Sequence, residues 1–216
     1  TGNSAVMKRA VAEARVFRAY AYFQLVTLWG TPPLIDHTLQ ENEYMQGNSS
    51  TEALWAFIEE DLKTAINSGD LHQKANINEK TYRITKQYAQ ALLGKSLVFQ
   101  KKYSDAATVL KEVINSNLYD LNPDLSNIYT PLGVMSQESV FEIHALNDRN
   151  VGTNNNFKWT FMGLRGEKYS YTDDTVFCSS SFGFQNPRKD LYDAFVAVEG
   201  KDGYRLKNTI TNWETM

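Results

Sequence analysis

Residues 12–34 read AEARVFRAYAYFQLVTLWGTPPL and form the centre of the longest periodic pattern in the chain. Here apolar residues recur every three or four positions for roughly six turns, as they do on one face of an α-helix. Gly30 suits the left-handed conformation that often ends a helix, and Pro32 and Pro33 cannot continue the helical hydrogen-bond ladder. The sequence therefore predicts a long amphipathic helix that ends near Gly30. Its predicted apolar stripe consists of Val6, Ala10, Ala14, Phe17, Ala21, Leu25 and Leu28.

A second helix is predicted directly after a proline-containing loop. Ser50 or Thr51 can cap its first turn, and Gly69 lies just past its end. Its apolar face consists of Leu54, Ile58, Leu62 and Ala65.

The next part of the chain predicts an antiparallel helical hairpin. Its first helix runs from about Thr85 to Phe99, and its second runs from Ser104, the expected cap, to about Asn115. The hairpin fits the tetratricopeptide pattern, which places small residues where two helices approach closely. The matching positions are Leu93-Gly94, Tyr103, Ala106, Leu110 and Val113.

The pattern changes after Asn117. Residues Ser139–Ala145 are predicted to form a short strand, residues 147–187 show no sustained period, and a short helical element follows Pro187. The fold class expected is therefore mainly α, with tetratricopeptide-like hairpins and a loop-rich, minor-β region. We expect the helical scaffold to occupy residues 1–120 and the loop-rich region, packed on it in one domain, to occupy residues 121–216.

The composition excludes several classes of protein. The chain has 216 residues, a net charge of −3 and a sequence pI of about 5.7, without a run of Lys and Arg, so no nucleic-acid partner is expected. Cys178 is the single cysteine, which excludes an intrachain disulfide. Polar residues and two prolines interrupt the apolar stretch 19–35, so it is not predicted to span a membrane.

Motifs for catalysis, cofactors and metals are missing from the sequence. His37, His72 and His144 are far apart and form no ligand pair, so no metal site is predicted. Neither a phosphate-binding glycine motif nor a GxSxG nucleophile motif occurs, so no cofactor and no catalytic residue are predicted. The carboxylates of 59–61 are expected to form a solvated helix face, and Asp173-Asp174 to lie in a solvated loop. A distant catalytic pair stays open as a hydrolase alternative.

The irregular region is rich in aromatic and amide side chains, and it has no helical period that would bury them. Aromatic rings can stack on the apolar C–H faces of sugars, while amides and arginine can bond sugar hydroxyls. A glycan ligand is therefore predicted; the alternative is that the rings fix the loop to the helices. The candidate ligand-binding residues are Trp159, Tyr169 and Tyr171, supported by Asn155 and Arg165.

The first helix resembles the signature helix of the SusD/RagB family. The family pattern is A-R-F-L-R-A-Y-x-Y-F followed by (F/Y)-G-x-x-P-L. Residues 14–23 and 29–34 match nearly every element of this pattern, with Val16-Phe17 at the positions of F-L. The segments Val113–Tyr119, Glu138–Ile143, Ser181–Phe184 and Pro187–Phe195 resemble the family's downstream order, and Arg188-Lys189-Asp190 depart from it. The resemblance covers nearly the whole chain, yet family members are usually more than twice as long, so a fragment without its C-terminal part is expected.

The resemblance implies a helical, non-enzymatic protein on the extracellular face of a Gram-negative outer membrane. Family members bind glycans, occasionally peptides, and work with a SusC-like TonB-dependent transporter in nutrient uptake. Contact with the membrane is then expected only through a lipid anchor outside this chain. Arg15, Arg18 and Tyr22 match the signature and are expected to serve helix packing and ion pairing. A tetratricopeptide-like adaptor for a peptide or protein is the main alternative.

Overall fold

The computed structural model describes residues 4–128, 130–144 and 187–210, and the fold is helical, as predicted. The chain divides into two compact units, Thr1–Glu142 and Ile143–Met216. The domain boundary expected at residue 120 stays a prediction. In the first unit the described α-helices are α1 (Ala5–Trp29), α2 (Thr51–Asn67), α3 (Lys86–Phe99) and α4 (Tyr103–Asn115). In the second they are α5 (Lys189–Glu199) and α6 (Tyr204–Thr209).

Local capping chemistry sets the ends of the first three helices. The side chains of Ser4, Ser50 and Thr85 each accept a hydrogen bond from a backbone N–H in the first turn of α1, α2 and α3. Gly30 ends α1 with a φ of 79° and donates its N–H to the Val26 carbonyl. The starts at Ser50 and Thr85 and the end at Gly30 agree with the predicted ones.

The fourth helix begins differently from the prediction. Lys102 is its N-cap residue, without a side-chain cap, so Ser104 lies inside the first turn. The reason is the tight turn before it, in which Lys101 adopts a φ of 62° and the N–H of Lys102 bonds the Leu97 carbonyl. The turn therefore fixes where α4 starts, and a capping serine is not needed.

The buried face of α1 lies opposite the predicted stripe. Phe17 is 52% exposed, and six of the seven predicted positions face solvent. Both sides of α1 are apolar, and the sequence period alone does not select one. Polar residues select the buried side, because Arg15 and Arg18 pair with Asp61 of α2 and turn the adjacent apolar side of α1 toward α2. The residues of α1 that form the core are Ala12, Val16, Ala19, Tyr22, Phe23 and Val26.

The faces of the other helices agree with the sequence. Leu54, Ile58, Leu62 and Ala65 of α2 are all buried, as are Leu93 and Leu97 of α3. The α3–α4 hairpin is as close as the tetratricopeptide pattern requires. A Cβ added to Gly94 would lie 2.5 Å from Leu110, and Ala106 is buried beside α3.

The predicted strand at Ser139–Ala145 is wrong for its described residues. Residues 139–144 are irregular, and the described residues of the chain contain no strand. The carboxylate of Glu142 turns back to accept hydrogen bonds from the N–H of Met135 and the hydroxyl of Ser139. Phe141 stacks on Tyr88 of α3, with 4.2 Å between ring centroids. Local polar contacts and ring packing therefore replace pairing with a second strand.

Candidate functional site

The predicted ligand-binding residues lie outside the described part of the chain. These are Trp159, Tyr169, Tyr171, Asn155 and Arg165, all within residues 145–186. Their assignment to a glycan site stays a prediction. The described residues that precede this segment form the helical scaffold.

The signature arginines meet one buried carboxylate. Asp61 of α2 is 1% exposed and accepts hydrogen bonds from Arg15 Nη1 at 2.7 Å and from Arg18 Nε and Nη2 at 2.7 and 2.8 Å. These bonds raise the pKa of Arg18, whose guanidinium also lies 4.7 Å from the centre of the Phe57 ring. The expected role of both arginines in ion pairing and helix packing is confirmed.

Side chains of α1 also hold the start of the loop that follows α1. The Tyr22 hydroxyl accepts from the N–H of Ile35 at 2.6 Å and donates to the carbonyl of Ile35 at 3.0 Å. Arg18 Nη1 donates to the Asp36 carbonyl at 3.0 Å. At the other end of the loop, Ser49 Oγ accepts from the N–H of Leu34. The signature residues therefore tie the loop to the helix pair as well as joining the two helices.

A second buried carboxylate corrects the expected solvated face at residues 59–61. Glu59 is 8% exposed and accepts from Lys63 at 2.7 Å and from Lys102 at 2.6 Å, whereas Glu60 alone faces solvent. The sequence spacing indicates that Asp61 is buried, because it lies three residues after the core residue Ile58 and therefore on the same helical face. The partners were not visible locally, because Lys102 lies 43 residues further along the chain.

The surroundings of Glu59 set its protonation. Burial by itself would raise the pKa of Glu59, but hydrogen bonds from Lys102, Lys63 and Gln100 together outweigh burial and lower the pKa to about 2. Glu59 therefore stays ionised well below the pH at which an exposed glutamate takes up a proton.

This shift predicts acid-sensitive stability. Because the folded pKa is below the unfolded value of 4.5, the stabilisation is complete above pH 4.5 and is lost as pH falls toward 2. Lys63 and Lys102 are about half exposed, so solvent screening limits the loss to about 1–2 kcal/mol. Urea unfolding at neutral and acid pH should show a smaller acid loss for Glu59→Gln than for the unchanged chain. An equal loss in both proteins would assign the acid sensitivity to other groups.

Two of the described histidines, His37 and His72, contact carboxylates. His37 contacts Asp36 at 2.6 Å and Glu43 at 3.2 Å, and hydrogen bonds to these two groups raise its pKa. His72 contacts Glu79 at 2.7 Å. Among the described residues no group of three His, Cys, Asp or Glu side chains could hold a metal ion, and no helix there is long and apolar enough to cross a membrane.

Paired antiparallel helices that make close contacts at small residues define a tetratricopeptide-like scaffold. Comparisons with solved structures identify proteins that share this fold. A laminarin-binding SusD-like protein matches at a TM-score of 0.81 and 25% identity, over 99% of this chain and 48% of that one. The surface glycan-binding protein A of Bacteroides uniformis matches at 0.73 and 24%, over 89% and 41%. Its counterpart from Bacteroides thetaiotaomicron, in complex with laminarihexaose, matches at 0.68 and 23%, over 88% and 40%.

These matches show that the fold is SusD-like, so the resemblance seen in the sequence is confirmed. This chain spans less than half the length of each of the three structures. No protein-family model and no curated protein matches the sequence.

Proposed function

We propose that this chain is part of a cell-surface glycan-binding protein, which captures an oligo- or polysaccharide and delivers it to a SusC-like TonB-dependent outer-membrane transporter. One observation carries the proposal: a laminarin-binding protein shares the fold over 99% of this chain. The two surface glycan-binding proteins of Bacteroides support it. The proposed protein is not an enzyme, acts without a cofactor and is held at the extracellular face of the outer membrane by a lipid anchor outside this chain.

The proposed glycan site lies in the segment after the scaffold. Trp159, Tyr169 and Tyr171 would stack on sugar rings, and Asn155 and Arg165 would bond the hydroxyls. Each stacking contact contributes ~0.5–1.5 kcal/mol, so two or three of them give an affinity in the millimolar to high-micromolar range. Such an affinity suits capture followed by release to a transporter.

Native affinity electrophoresis against laminarin, xyloglucan and other soluble polysaccharides tests the proposal, with reducing ends assayed in the same mixtures. Retardation by a glycan without new reducing ends is the expected result. New reducing ends would contradict it and favour a hydrolase. Binding of oligopeptides without retardation by any polysaccharide would favour the adaptor that the tetratricopeptide-like hairpin also permits.

Trp159→Ala should weaken the retardation by about 2- to 10-fold, which is the loss of one stacking contact, and leave the melting temperature unchanged. Affinity electrophoresis and thermal unfolding of the same preparation measure the two effects. A lower melting temperature with unchanged retardation would mean that the ring fixes the loop to the helices and is not a ligand contact.

A further inference from the structure

A cleft on the scaffold combines an aromatic ring with polar atoms that have no hydrogen-bond partner among the described residues. It lies between α2 and the α3–α4 turn, and its volume of about 520 Å³ falls within the ~300–1,000 Å³ typical of small-molecule sites. The side chains that carry the argument are Trp55, Glu59, Glu60, Lys63, Gln100 and Lys102. All of them belong to the described residues of the first unit.

Trp55 supplies a positioned aromatic surface in this cleft. Its ring contacts Phe23, with centroids 5.9 Å apart and planes inclined by 67°, and Phe99, with centroids 6.4 Å apart. Phe23 is buried in the core, so the tryptophan is fixed on one side and is partly exposed to the cleft. Its indole N–H forms no hydrogen bond with another described residue, and because the side chain is only partly buried this donor is available to a ligand in the cleft.

The charges around Trp55 are largely compensated. Glu59 takes one hydrogen bond from each of Lys63 and Lys102, which fixes both ammonium groups at the wall of the cleft. Each ammonium has three N–H donors and therefore keeps donors for a ligand. With Glu52, three carboxylates face two lysines, a net charge of −1, which does not favour an anionic ligand.

Acceptors complete the polar set. Glu60 Oε1 accepts from the Thr64 hydroxyl, and its second oxygen forms no hydrogen bond with the described residues. Gln100 donates its amide to the Ser96 carbonyl, so its own carbonyl oxygen is left as an acceptor. Donors and acceptors alternate beside an aromatic ring, and this arrangement suits a molecule with an apolar face and a rim of hydroxyls.

We propose that this cleft is a second saccharide site, which binds a neutral pyranose-containing oligosaccharide through stacking on Trp55 and hydrogen bonds with Glu60 and Gln100. This inference rests on the proposed function, because it assumes a glycan ligand. It differs from that proposal in its location, because Trp55 belongs to the scaffold and not to residues 145–186. A polysaccharide would then contact the protein at two places, which increases the effective affinity of both.

Indole N–H signals in NMR spectra of the chain labelled with ¹⁵N-tryptophan test the site. The chain has four tryptophans, Trp29, Trp55, Trp159 and Trp213, whose signals Trp→Phe substitutions assign. Laminarihexaose, maltohexaose and a xylogluco-oligosaccharide at up to ~10 mM, a range suited to millimolar binding, should shift the Trp55 signal saturably with at least one of them. A galacturonic acid hexamer, which is anionic, should shift it less.

Two variants separate direct contact from indirect effects. Glu60→Ala should weaken the Trp55 titration by about fivefold, the loss of one hydrogen bond, whereas the control Glu41→Ala, an exposed carboxylate elsewhere, should not. In Trp159→Ala the Trp55 titration should remain.

Each other outcome overturns a defined part of the proposal. Retardation in electrophoresis without any shift of the Trp55 signal overturns the saccharide site in the cleft but agrees with the proposed glycan capture. Loss of the Trp55 shift in Trp159→Ala shows that the shift is transmitted from the other site and overturns a separate one. Absence of both retardation and shift overturns the cleft together with the proposed function.

Discussion

Asp61→Asn is expected to destabilise the helical scaffold by about 3 kcal/mol. Asp61 is buried and accepts from both Arg15 and Arg18, so the substitution leaves two guanidinium groups without their counter-charge. Breaking a buried ion pair on one side costs about 3–5 kcal/mol. The lower end applies, because both arginines are about one third exposed and regain part of their hydration. Urea unfolding followed by circular dichroism measures the free energy.

Matched variants isolate the charge effect. Glu60→Gln, at the neighbouring exposed position on the same helix, should change the free energy of unfolding by less than about 0.5 kcal/mol. Replacing the whole triad by Arg15→Met, Arg18→Met and Asp61→Leu should recover most of the loss, because no uncompensated charge remains. If Asp61→Asn unfolds like the unchanged chain, the triad does not orient α1 on α2.

The ends of the helices could be predicted, because the chemistry that sets them is local. A capping hydroxyl such as Ser50 or Thr85 bonds the first turn of its own helix, and Gly30 supplies the backbone conformation that ends α1. The start of α4 could not be predicted in this way. There the left-handed conformation of Lys101 and the bond from the Lys102 N–H to the Leu97 carbonyl set the start of the helix in place of a side-chain cap.

The orientation of α1 required information that its own period does not contain. Apolar residues occupy opposite sides of this helix, as Val26 in the core and Phe17 at the surface show. The partner that selects the buried side is Asp61, 46 residues after Arg15. Similarly, the buried state of Glu59 depends on Lys102. Long-range ion pairs therefore determine which side of α1 is buried and whether Glu59 is buried, and apolar periodicity alone does not.

The candidate glycan site came from composition, which selects a ligand class and not a set of contacts. Trp159 and its neighbours were chosen because a segment without a period cannot bury many rings, and that reasoning gives no positions in space. Trp55 was overlooked for the opposite reason. It stands on a regular helix next to the core residue Leu54, where an aromatic residue is expected to pack.

Gly94→Val is expected to destabilise the α3–α4 hairpin by about 2–3 kcal/mol. A Cβ at this position would lie 2.5 Å from Cγ and Cδ2 of Leu110, whereas carbon atoms pack at ~3.5–4.0 Å. Valine is a slightly better helix former than glycine, but that gain of a few tenths of a kcal/mol is smaller than the ~1–3 kcal/mol cost of overpacking. Urea unfolding of the variant and of Ala107→Val, at an exposed position of α4, separates packing from helix propensity.

A second substitution that removes the contact with Leu110 tests the cause of this destabilisation. In the Gly94→Val background, Leu110→Ala should restore stability, although the same change alone should destabilise the chain by opening a gap between the helices. The two changes should therefore couple by 1 kcal/mol or more, at the scale seen for side chains in direct contact. Simple addition of the two losses would mean that Leu110 moves aside without cost. The close helix contact typical of a tetratricopeptide pair would then not be the source of the loss at this position.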